Sequence, residues 1–97
     1  MLERDFQKQV IKFLKDYNIY YIKVWGGGYQ RSGIPDLIIC LKGEFIAIEL
    51  KNEEGKPSPL QIYNIDKIKQ SGGQAFILRP SQFENFKREV LKHVQLQ

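Results

Sequence analysis

The chain has 97 residues, 42% hydrophobic and 27% charged, with a formal net charge of +4. That balance predicts one compact soluble domain over 1–97 and excludes a disordered chain. A single cysteine, Cys40, excludes a disulfide framework and a cysteine-based zinc cluster, and no apolar run approaches the roughly 20 residues of a membrane span. The positive charge is compatible with nucleic acid or another anion and does not choose between them. The opening MLERDFQKQ lacks the shape of a signal peptide, which predicts a cytoplasmic setting.

In chain order, residues 3–17 place Phe6, Val10, Phe13, Leu14 and Tyr17 on one helical face. IYYIKVW, residues 19–25, is β-branched and aromatic and reads as a strand, and GGGYQRSG after it reads as a loop. Two further strands, 35–41 and 44–51, meet at a tight Lys42-Gly43 turn. Cys40 falls within the first of these and is expected to fill the core. A loop, NEEGKP, leads to a helix over 59–70 that stops at Gly72-Gly73. Ser58-Pro59-Leu60-Gln61 has the form of a capping box for that helix, and Ser81-Gln82-Phe83-Glu84 repeats it before the last one. QAFILR, residues 74–79, is a fourth strand. The closing helix carries Phe83, Phe86, Val90 and Val94, with His93 on its surface. The order is αβββαβα. The third strand, second helix and fourth strand form a crossover, so those two strands run parallel and the sheet is mixed.

The hairpin raises the chemical question. A two-residue turn at Lys42-Gly43 puts Asp36 directly opposite Glu49, with Lys51 on the same face. Ile38, Cys40, Phe45 and Ala47 would continue that face into the core. A bulged turn at Gly43 would slip the pairing by one residue. Opposed carboxylates repel unless something positive lies between them. Either Lys51 closes a salt-bridged trio, or an oxygen-seeking divalent ion such as Mg²⁺ is held there. Glu3 falls on the apolar stripe of the first helix, where it is either a dipole-favoured first-turn residue or a site residue. Gln61 faces inward as well, as a cap or as part of the site.

Gly33-Ile34-Pro35-Asp36, then twelve residues, then Glu49-Leu50-Lys51, resembles the PD-(D/E)xK nuclease signature. With Glu3 before it, and Gly55-Lys56-Pro57-Ser58 and Gln61 after it, the set is similar to the VRR-NUC (virus-type replication-repair nuclease) family. It is similar in plan also to archaeal Holliday-junction resolvases. GGGYQR, by contrast, does not fit a dinucleotide-binding glycine pattern. The resemblance covers residues 3 to 79 and implies a restriction-endonuclease-like α/β fold, a mixed four-stranded sheet flanked by helices. It implies a DNA endonuclease using Mg²⁺ or Mn²⁺, selective for branched DNA such as a four-way junction or flap, or a nicking enzyme. Asp36, Glu49 and the Leu50 carbonyl would hold the ion. Lys51 would orient the attacking water, Glu3 would act through the ion's water shell, and Gln61 would steady Lys51 or the phosphate. Lys23, Tyr29, Arg31 and Lys56 are the expected DNA backbone contacts. The absence of an appended domain resembles stand-alone phage members, which work in the host-cell cytoplasm. A paired cut across a junction requires two active sites, hence a homodimer, and the aromatic residues Tyr20, Tyr21, Trp25 and Tyr29 offer surface for one. The rival readings are a non-catalytic DNA-binding module on the same fold and a structural protein of a phage particle.

Overall fold

The protein is described by a computed structural model covering residues 1–24 and 32–94. The glycine loop, Trp25, Tyr29 and Arg31 lie outside the described residues, and so does what was expected of them. Helix α1 spans Glu3–Asp16, followed by strands β1 (Tyr20–Lys23), β2 (Leu37–Leu41) and β3 (Glu44–Leu50). Helix α2 (Pro59–Gln70) and strand β4 (Gln74–Leu78) come next, then a 3-10 turn (Pro80–Gln82) and helix α3 (Phe83–Leu91). The sheet order is β1-β2-β3-β4, antiparallel except for the β3–β4 pair, so the sheet is mixed as expected. Among the described residues, no helix is long and apolar enough to cross a membrane.

Lys42 and Gly43 both take positive φ, 51° and 77°. That is a two-residue turn whose twist matches the strands it joins. It sets Leu41 against Glu44 and carries the register to Leu37 against Ile48, with no bulge. β2 begins two residues later than expected. Pro35 has no N–H to give the ladder, and the Asp36 carboxylate takes the place of the next backbone acceptor.

Pleating sorts the sheet into two unequal faces. Leu37, Ile39, Ile46, Ile48, Leu50 and Leu78 point to the face covered by α1 and α3, where Phe6, Val10, Phe13, Leu14, Phe86 and Val90 complete the main core. The opposite face has a small cluster of Ala47, Ile65 and Ala75 beneath α2. Helix α2 packs on β4 and β3, and among the described residues it has no comparable packing on β1 or β2. This corrects two expectations. Cys40 is exposed instead of filling the core, and Phe45 is 48% exposed. Of the row expected to lead inward, only Ala47 is fully buried, and Ile38 is half-buried. Tyr17 also turns out to solvent, whereas Tyr21 packs against the main core. His93 is exposed, as expected.

The segment leading into Asp36 is pinned against α2. Gly33 sits at φ +82°, and a Cβ there would lie 2.8 Å from the Leu60 carbonyl carbon and Cγ. Both the backbone conformation and the contact demand glycine. Gly33→Ala is therefore expected to cost about 2–4 kcal/mol in urea unfolding, through strain and overpacking.

Candidate active site

Asp36 is held at two points. Its carbonyl accepts from the Val24 amide at 2.9 Å. Its side-chain Oδ2 accepts from the Leu50 amide at 2.8 Å, extending the hairpin ladder with a carboxylate. One step beyond the last ladder pair, Leu37–Ile48, Asp36 comes opposite Glu49. Glu49 is 3% exposed, the one buried charged residue among those described.

Gln61 explains how Glu49 is oriented. Its Nε2 donates to Glu49 Oε1 at 2.9 Å, while its own Oε1 accepts from the Ser58 amide at 2.8 Å. The Ser58 hydroxyl in turn accepts from the Gln61 amide, closing the capping box of α2. Cap and site do not compete for Gln61, because the two ends of one amide serve both. The side chain bonds Glu49, where steadying of Lys51 or a phosphate was expected. Gln61→Glu preserves the capping acceptor but turns the donor toward Glu49 into a second acceptor. It should therefore lower stability in urea unfolding at pH 8 more than Gln61→Ala, which loses the acceptor for the Ser58 amide and the donor to Glu49 but adds no second charge beside it.

The second oxygen, Glu49 Oε2, is buried without a hydrogen-bond partner among the described residues. A buried carboxylate oxygen in that position costs free energy until a proton or a cation reaches it. Accordingly the Glu49 carboxyl is raised from 4.5 to about 8. Burial is the largest cause, followed by the charge of Asp36 and a hydrogen bond to it. Lys51 pulls the other way, and Glu3 adds to the rise. Asp36, Lys51, Glu3 and Gln61 thus all bear on Glu49, by hydrogen bond or by charge. Glu3 itself is exposed in the first turn of α1. Among the described residues, no three His, Cys, Asp or Glu side chains converge as a metal cage. A cation at this site would therefore take two carboxylates and complete its shell with backbone oxygen and water, a donor set that fits Mg²⁺ or Mn²⁺.

Lys51 follows β3, its amide donating to the Leu78 carbonyl at 3.1 Å. The loop after it is bound to the chain beyond β4. Arg79 Nη1 donates to the carbonyls of Asn52, Glu53 and Gly55 at 2.8, 3.2 and 2.7 Å. The Glu53 carboxylate accepts from the amide and hydroxyl of Ser81. Ser81 is therefore engaged by Glu53 and does not cap the last helix, contrary to expectation. Neither Arg79 nor Glu53 was singled out from the sequence. The one available signal was a charged residue at the C-terminal end of a buried parallel strand, where such sheets place their sites. Lys23, on β1, and Lys56, in the loop before α2, are both exposed.

The fold and this strand-end carboxylate pair define a restriction-endonuclease-like α/β domain. Comparison with solved structures specifies it further. A VRR_NUC domain protein superposes with a TM-score of 0.75 at 19% identity, over 99% of this chain and 98% of that one. A second VRR_NUC domain gives 0.72 at 25% identity, over 96% and 97%. Archaeoglobus fulgidus Hjc, a Holliday junction resolvase from an archaeal hyperthermophile, gives 0.60 at 19% identity, over 78% and 66%. By sequence alone, no family profile and no curated protein matches. The chain has the VRR-NUC fold along almost its whole length, and shares its plan with the archaeal resolvase.

Proposed function

We propose that this protein is a divalent-metal-dependent DNA endonuclease hydrolysing phosphodiester bonds, selective for branched DNA. The observation that carries the reading is the buried Glu49 carboxylate, whose Oε2 no donor reaches among the described residues, set against a second carboxylate, Asp36, at the end of a sheet. A purely structural trio would have used Lys51 to satisfy that oxygen. Asp36, Glu49 and the Leu50 carbonyl would hold Mg²⁺ or Mn²⁺, which when bound polarises a phosphate oxygen and acidifies water. The Leu50 amide and Gln61 fix the two carboxylates in place, one from each side. Lys51, whose charge favours the ionised form of Glu49, would orient the attacking water and offset charge that develops on the phosphate. Glu3, close enough to perturb Glu49, acts through water in the same cluster. Lys23, Tyr29, Arg31 and Lys56 contact the DNA backbone.

On the α2-side face, Tyr20 and Ile22 of β1 and Phe45 at the turn end of β3 are exposed. Apolar surface of this kind supports a two-fold homodimer, which a paired cut across a junction requires. The test is incubation with supercoiled, flap and four-way-junction DNA, with Mg²⁺, Mn²⁺ or chelator, alongside sedimentation. Metal-dependent cleavage and a species of twice the 11.4 kDa chain are expected. Binding without cleavage of any substrate would make the protein a DNA-binding module. A monomer that cleaves would keep the chemistry and remove the paired cut.

A further inference from the structure

Arg79 grips the loop that follows Lys51. It stands one residue beyond β4, and its Nη1 reaches three carbonyls of a single short loop, Asn52, Glu53 and Gly55. That loop is the direct continuation of Lys51. It is tightened internally by the Asn52 side chain, whose Oδ1 accepts from the Gly55 amide at 2.6 Å. The loop also folds back on Lys51 itself: a Cβ on Gly55 would lie 2.9 Å from Asn52 Oδ1 and 3.4 Å from Lys51 Cδ. The lysine stem therefore runs alongside Gly55, and the guanidinium grips the loop at Asn52, Glu53 and Gly55. On the outer side Glu53 is tied to Ser81 by its carboxylate. The Arg79 amide is fixed by Gln82 Oε1 at 3.0 Å, so the anchor is itself anchored.

A lysine side chain has four rotatable bonds and, left to itself, samples many positions. An ammonium that must meet a phosphate within a fraction of an ångström benefits from a rigid bed under its stem. A planar guanidinium with several donors can hold adjacent carbonyls at fixed spacing, which a point-charge ammonium does less well. We propose that Arg79 is a positioning residue for Lys51: by clamping the Asn52–Gly55 loop it fixes the path of the lysine stem and so the placement of its ammonium beside Glu49. The proposal rests on the nuclease reading for its catalytic consequence, though not for its structural one.

Single-turnover cleavage and DNA affinity are measured for the parent, Arg79→Ala, Arg79→Lys, Lys51→Ala and the Arg79→Ala/Lys51→Ala pair. Arg79→Ala should slow cleavage about 10- to 100-fold with DNA affinity unchanged. Arg79→Lys should recover part of that loss. In the Lys51→Ala background the Arg79 substitution should have no further effect, since there is no ammonium left to place. The same fold-loss in both backgrounds, or affinity falling in step with rate, would overturn the proposal. If Arg79→Ala does not fold, Gly55→Ala disturbs the same bed from the other side and should slow cleavage without weakening binding. A parent that cleaves nothing would defeat the nuclease reading and leave the clamp to be judged by NMR. The Lys51 Cε resonance, assigned with Lys51→Ala, should move part of the way toward the position of solvent-exposed lysines in Arg79→Lys, and the Gly55 amide should exchange faster. An unmoved resonance would sink the clamp.

Discussion

Glu49→Gln is expected to abolish cleavage and at the same time raise the stability of the metal-free protein at pH 8. The buried carboxylate opposes Asp36 and has an oxygen that no donor reaches among the described residues. Glutamine can still accept from Gln61 and brings an NH₂ that donates toward Asp36, so repulsion becomes a hydrogen bond. Asp36→Ala should also abolish cleavage, but with the opposite effect on stability. It leaves the Leu50 amide, now bonded at 2.8 Å, without an acceptor, which costs about 1–3 kcal/mol. Melting and single-turnover cleavage of both variants decide the matter. If Glu49→Gln melts well below the parent at pH 8, the carboxylates and Lys51 form a structural ion cluster.

Without divalent metal, stability should fall as pH rises between about 4.5 and 8 and then level off. Glu49 is raised in the folded protein to about 8 from an ordinary 4.5. Across that window the folded state holds a proton the unfolded state has released, so each rise in pH favours unfolding. Glu49's contribution is fully present below the unfolded value and lost by the folded one. The whole span is worth at most about 5 kcal/mol. In urea titrations across this range, Glu49→Gln should flatten the dependence. Saturating Mg²⁺ should flatten it too, by taking the place of the proton. Parallel pH profiles for parent and variant would show that Glu49 is ionised and satisfied by other means.

The hairpin chemistry was legible because a two-residue turn with left-handed Lys42 and Gly43 leaves one register, and that register alone brings Asp36 to Glu49. Gln61 was legible as a cap and as an inward-facing residue. That one amide does both follows from the distance between the first turn of α2 and β3, which no periodicity contains. Cys40 and Phe45 were misread for a related reason. Alternation states which residues share a face, whereas coverage depends on where α2 lands: it packs on β4 and β3, so Cys40 on β2 is left outside, and Phe45 stands at the turn end of β3, one pair from the hairpin turn. Arg79 was illegible, since its partners Asn52, Glu53 and Gly55 lie across the whole crossover and meet it only because β3 and β4 end side by side.

The central claim is that Asp36 and Glu49 form a divalent-cation site for phosphodiester hydrolysis, and calorimetric titration with Mn²⁺ at pH 7 tests it most directly. Run in two buffers of different ionisation enthalpy, it also counts released protons. The parent should show saturable binding with proton release, because the ion displaces the proton Glu49 holds below about 8, and Glu49→Gln should show neither. Equal binding by parent and Glu49→Gln, or no binding by the parent, would contradict the account.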